Sequence, residues 1–217
     1  MEKMPFRPDL DLGLRIPIAA DDGATGWRAS LPVMEGGSVT LRELRQEDAP
    51  SLLAMLTTEE VARFMSPPPT DVQGFERFIA WTREERAAGR LACFGVVPEG
   101  YNEAIGLFQV RQLEPGFVTA EWGVAIGSAF WGTGTYAESA TLVAEFAFDM
   151  LGVHRLEARA AVINGRANGA LQKIGAVQEG VLRRSFLKNG QYLDQILWSI
   201  LREDWLRSRP GPRVRIH

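Results

Sequence analysis

The chain has 217 residues, 46% of them hydrophobic and 24% charged, with a formal net charge of −3. Such a composition builds one globular core, and its mildly acidic balance argues against a nucleic-acid partner. A single cysteine, Cys93, excludes an intramolecular disulfide, and its apolar neighbours in LACFGVV predict a core thiol. No apolar run approaches the roughly 18 residues that span a bilayer, and the N-terminus lacks the apolar stretch of a signal peptide, so a cytoplasmic protein with no membrane partner is expected.

Residues 1–34, rich in Pro, Gly and Asp, are predicted to be an N-terminal extension. In it LGLRIPI and GWRASLPV form short strands either side of the turn AADDGAT. Residues 35–206 form the main domain and 207–217 a basic tail whose arginines (Arg207, Arg209, Arg213, Arg215) suit solvent or an acidic partner. SVTLREL alternates as a half-buried strand. Asp48 is placed to cap the next helix, through Leu52, Leu53 and Leu56, and MSPPPT ends that region. DVQGFERFIAWTREERAAG reads as a second amphipathic helix whose REER run faces water. LACFGVV, EAIGLFQVRQL and FVTAEWGVAI, separated by PEGYNE and EPG, read as an antiparallel meander. TYAESATLVAEFAFDMLG follows as a helix with the stripe Leu142, Phe146, Met150, Leu151 and a C-cap at Gly152. HRLEARAAV is a strand, NGRANGALQKIGA a short helix, and VQEGVLRRSFLKNGQYLDQILWSIL a closing hairpin on the turn KNG. The order predicts an α/β, or α+β, sandwich with a mixed, mostly antiparallel central sheet flanked by helices.

AFWGTGTYAES stands between the meander and the helix. Glycine admits positive φ and close backbone approach, and the first turn of a helix offers unpaired N–H groups and a partial positive charge. Together they suit an anion such as a pyrophosphate. No Gly-Lys-Ser/Thr follows, the preceding strands form a meander and Ala137 occupies the third glycine position, so neither a Walker loop nor a dinucleotide fingerprint fits. Asn164, at the end of a strand, is placed to cap the short helix and to face the same cleft.

With these pieces in place, residues from about Val39 to Trp205 resemble the GCN5-related N-acetyltransferase (GNAT) superfamily, and within it the branch containing the ribosomal-protein acetyltransferases RimJ and RimL. The loop fits the pattern Gln/Arg-x-x-Gly-x-Gly/Ala, with Ala129 in place of the leading polar residue. The resemblance implies an acyl-CoA co-substrate and no metal. Backbone amides of Trp131, Gly132, Thr133, Gly134, Thr135 and Tyr136 would hold the pyrophosphate. The strand carrying Val124 and Ile126 would pair with pantetheine where it splays from HRLEARAAV, an amide near Val124 would polarise the thioester carbonyl, and Asn164 would lie beside the pantetheine arm.

Acyl transfer to an amine needs a neutral nucleophile, a stabilised oxyanion and a leaving thiolate. Glu121 is the candidate base, with a structural hydrogen bond or a surface position as its other reading, and His154 lies away from the expected centre. The tyrosine and serine that relatives use near the sulfur are Leu171 and Ala167 here, leaving Tyr136, Tyr192, Ser139 and Thr135 as other hydroxyls. The donor is acetyl-CoA or, as in nearby members of the branch, succinyl-CoA. For the latter's distal carboxylate, Gln109, Arg111, Arg183 and Arg184 are candidates. The acceptor is a small-molecule or protein N-terminal amine. A non-catalytic acyl-CoA sensor and an oligomeric interaction module remain open on the same fold. A homodimer or larger assembly is expected, with Trp198 and Trp205 in core or interface.

Overall fold

The computed structural model describes residues 26–208; LGLRIPI and the arginines at 209, 213 and 215 lie outside the described residues. Eight strands form one sheet in the order β1-β2-β3-β4-β5-β6-β8-β7. They are β1 (Met34–Glu35), β2 (Val39–Glu43), β3 (Leu91–Pro98), β4 (Gly106–Gln112), β5 (Thr119–Ile126), β6 (Arg155–Ala161), β7 (Val177–Lys188) and β8 (Gln191–Leu201). Every neighbouring pair is antiparallel except β5 and β6.

Strand alternation divides the apolar side chains between two cores. Phe94, Phe108, Ala120, Trp122, Leu156 and Trp198 pack with α5 (Thr135–Glu145) on one face. Leu91, Cys93, Leu107 and Ala125 pack with α2 (Ala49–Leu56), α3 (Glu59–Ala62) and α4 (Val72–Ala87) on the other. The Cys93 thiol is buried and burial pushes it up to about 12, as a core thiol should be. The KNG turn places Asn189 and Gly190 at φ 48° and 77°, the left-handed pair that suits the twist of a hairpin.

Several local expectations yield to tertiary contacts. GWRASLPV is not a strand. It opens with the one-turn helix α1 (Gly26–Ala29), because the buried Trp27 ring meets Phe117 edge-on at 5.5 Å and Phe146 at 6.4 Å. The REER run is not wholly solvated: the buried Arg86 bonds Glu43 Oε1 at 2.5 Å and the Arg28 carbonyl, and Arg83 donates to the Leu44 carbonyl. Asp48 does not cap α2 through its side chain. Its carboxylate is buried against Arg42, with two bonds of 2.8 Å, and also accepts from the N–H groups of Arg45 and Ala104. The helix after α5 widens to a π-turn over Phe146–Met150. That wider turn shifts the inward face to Phe146, Ala147 and Phe148 and leaves Met150 exposed. REDWLRS forms α7 (Arg202–Ser208), so Arg207 and Ser208, the first two residues of the expected tail, are helical. Trp198 is core, and Trp205 stacks on Phe148 at 5.8 Å.

Candidate active site

The parallel pairing of β5 with β6 extends only from Thr119–Arg155 to Glu121–Glu157. Both strands continue past that point, β5 to Ile126 and β6 to Ala161, while staying paired to β4 and β8 on their outer sides. A wedge therefore opens between them, and Val124, 42% exposed, lies on its β5 side. At the wedge's end the chain enters the loop before α5. Gly132 and Gly134 have φ of 80° and 93°, and a Cβ on either would meet nothing within 4 Å. Bare backbone thus faces open space at the start of an 11-residue helix, whose first N–H groups lack intrahelical partners. That arrangement fits a bound pyrophosphate.

The side chains of this loop are occupied in holding it. Trp131 Nε1 donates to the Ile126 carbonyl at 3.0 Å, so that oxygen already has one partner. Thr133 Oγ1 bonds the Phe130 carbonyl and Thr135 Oγ1, both at 2.8 Å. Tyr136 stacks on Phe108 at 5.9 Å, and burial pushes its phenol above the ordinary range. Glu138, in the first turn, accepts from Ser38 Oγ at 2.5 Å and from the N–H groups of Gly37 and Ser38. The serine hydroxyl is the main cause holding that carboxyl below its usual range.

Asn164 stands where β6 hands over to α6 (Gly165–Lys173). Its Oδ1 accepts from Ala167 N–H at 3.1 Å, the helix-capping role its sequence position predicts. Its Nδ2 group makes no hydrogen bond among the described residues.

Glu121 occupies the last paired position before the wedge opens. It bridges two arginines: Arg111 on β4 bonds Oε2, and Arg159 on β6 lies 3.5 Å from Oε1. The pairing continues across the sheet. Arg159 lies 3.7 Å from Glu157, and Arg155 bonds both Glu157, at 2.8 Å, and Glu179 on β7. Arg155, aided by Ser199, holds the Glu179 carboxyl down at about 2. This row of alternating charge was not legible in the sequence, because its members come from four strands. Alternation along LEARAA (Glu157, Arg159) was its one local signal.

The four residues considered for an acyl carboxylate fall into two groups. Gln109 lies opposite Cys93 in the β3–β4 pair, and Arg111 belongs to the charge row. Arg183 and Arg184 line a hollow of about 480 Å³ with Asp194, whose carboxylate accepts from Arg184 N–H at 2.7 Å. β4 and β7 are four strand positions apart, roughly 19 Å at the usual spacing, so the fold does not bring the groups together. Arg184 has φ 50°, an unusual conformation for a non-glycine residue. Leu171 is buried in the core, as is Ser139, Thr135 is buried against Thr133, and Tyr192 is 62% exposed on the hairpin. His154 is exposed at the start of β6, the end opposite the wedge. Among the described residues, no helix is long and apolar enough to cross a membrane.

The splayed parallel pair leading to a bare glycine loop is the arrangement that the resemblance to an acyltransferase fold implies. Residues 38–177 match the family model described as an acetyltransferase (GNAT) domain, and the chain belongs to that family. It is similar to the uncharacterized N-acetyltransferase YoaA of Bacillus subtilis, at 27% identity over 79% of this chain and 97% of the relative. It is also similar to the [ribosomal protein uS5]-alanine N-acetyltransferase of Escherichia coli, at 25% identity over 63% of this chain and 71% of the relative. The structure of Mycobacterium smegmatis RimJ in complex with CoA-disulfide superimposes with a TM-score of 0.70 over 76% of this chain and 83% of that one. At 21% identity that likeness speaks to the fold. The expected family and its mixed, mostly antiparallel sheet are both found.

Proposed function

We propose that this protein is an acyl-CoA-dependent N-acyltransferase that moves an acetyl group to a primary amine by direct attack in a ternary complex. The observation that carries this reading is the wedge between β5 and β6 ending at the bare Gly132–Gly134 backbone. Bound acyl-CoA supplies the thioester carbonyl. The amides of residues 131–136 hold its pyrophosphate, β5 around Val124 and Ile126 aligns pantetheine, and an N–H near Val124 faces the developing oxyanion. Asn164 contributes its Nδ2 donors beside the pantetheine arm. The amine attacks as the C–N bond forms and the C–S bond breaks.

In this reading Glu121 takes the amine's proton through water, with Arg111 and Arg159 fixing its two oxygens. Glu121→Gln then lowers kcat/KM by about 10²–10⁴ and alters the pH profile, with CoA affinity unchanged. A value within twofold of the wild type assigns Glu121 instead to bridging the arginines. The thiolate leaves without a dedicated acid, since Leu171 and Ala167 stand at the usual hydroxyl positions and the Tyr136 phenol is packed on Phe108.

Acetyl is the favoured donor because Arg111 is paired with Glu121 and the Arg183–Arg184 hollow contains Asp194. Succinyl is the alternative. Thermal shifts with equal concentrations of acetyl-CoA and succinyl-CoA decide between them, the tighter ligand stabilising more. By analogy with the uS5-alanine relative, the acceptor to test first is a peptide with an N-terminal alanine, against a panel of small amines. A homodimer is supported by apolar side chains exposed on the β7–β8 hairpin, among them Val181 and Leu187. The missing hydroxyls support a second reading, a sensor that binds acyl-CoA without turning it over. Thiol release with any amine removes it.

A further inference from the structure

We propose that Arg166 is a phosphate-binding residue of the acyl-CoA site, supplying from α6 the cation that the glycine loop lacks. This rests on the acyl-CoA reading above. The loop from Ser128 to Ser139 contains no lysine or arginine, and Ala129 stands where the family pattern has Gln or Arg. The loop's one charged side chain, Glu138, is negative and is committed to Gly37 and Ser38. Amides and a helix start would therefore meet the cofactor's phosphates with partial charges alone.

Across the wedge, the Arg166 guanidinium lies 3.9 Å from the centre of the Trp131 ring. Trp131 is itself tied to β5 by its bond to Ile126. This stacking joins the two lips of the wedge, the β5–α5 loop and the start of α6, and sets the cation over Trp131, the residue before Gly132. A stacked guanidinium keeps its in-plane N–H donors, which suit phosphate oxygens. Arg166 is exposed and makes no ion pair among the described residues, so those donors are available.

The test is calorimetric titration of wild type, Arg166→Ala and Arg166→Lys with CoA, 3′-dephospho-CoA and pantetheine, at low and high salt. Arg166→Ala is expected to weaken CoA about tenfold, the scale of one charge-assisted contact, and Arg166→Lys to retain part of the affinity. Arg166→Ala should also flatten the salt dependence of CoA binding, a comparison that decides the matter should pantetheine bind too weakly to titrate. A loss that persists with 3′-dephospho-CoA places the contact on the pyrophosphate, and a loss that vanishes places it on the 3′-phosphate. CoA affinity within twofold of wild type, an equal loss for phosphate-free pantetheine, or an unchanged salt slope overturns the proposal. Wild-type protein that binds no CoA at all overturns the acyl-CoA reading itself, and this inference with it.

Discussion

Asp48→Asn tests how the corner between β2 and α2 is held. Asp48 and Arg42 are both buried, and the carboxylate accepts two guanidinium bonds of 2.8 Å plus the N–H groups of Arg45 and Ala104. These bonds tie β2 and the start of α2 to the turn before β4. Removing one partner of a buried pair leaves the other charge uncompensated and costs about 3–5 kcal/mol. At roughly 2–4 °C per kcal/mol for a domain of this size, Tm should fall by about 6–20 °C. Burial raises the Asp48 carboxyl, but Arg42 and the two backbone bonds outweigh it and hold it below its ordinary range. A depressed folded value means the stabilisation is complete above the unfolded value near 4 and is lost as pH falls through the folded one. The gap between variant and wild type, read by urea or thermal melts from pH 7 to pH 3, should therefore be widest at neutral pH and narrow below about 4. A gap under about 0.5 kcal/mol at pH 7, the scale of a neutral surface change, or one constant down to pH 3, would refute the reasoning.

Gly134→Ala must adopt φ 93°, a left-handed strain of about 1–2 kcal/mol, and so should weaken CoA about tenfold in a titration. Gly152→Ala, at φ 69° at the opposite end of the same helical segment, is the control: it should lower Tm and leave CoA affinity unchanged. Cys93, buried with its thiol raised to about 12, should resist alkylation at pH 8 in native protein and react once in denaturant, by mass measurement.

What could be read from the sequence was whatever is local. The meander, the glycine loop, the Asn164 cap and the KNG turn each carry their signal within a few residues, through alternation, turn chemistry or capping, and each appears where expected. What could not be read depends on partners distant in the chain. Trp27 leaves its strand-like segment for the aromatic pocket of Phe117 and Phe146, Arg86 is drawn inward by Glu43, and Asp48 turns from its helix to Arg42. The candidate site shows the same division. Its glycines were evident, but Glu121 meets Arg111 and Arg159 only because the sheet order sets β4, β5 and β6 side by side. The Arg166–Trp131 stack likewise needs the wedge to bring α6 to the loop.

The central claim is most directly tested by thiol release from acetyl-CoA, measured together with the mass of the acceptor. Thiol should appear above the background of hydrolysis only when a primary amine is present, in a one-to-one ratio with an acetylated product. Binding of acetyl-CoA with no amine-dependent thiol across the peptide and small-amine panel would contradict an enzyme and leave a sensor.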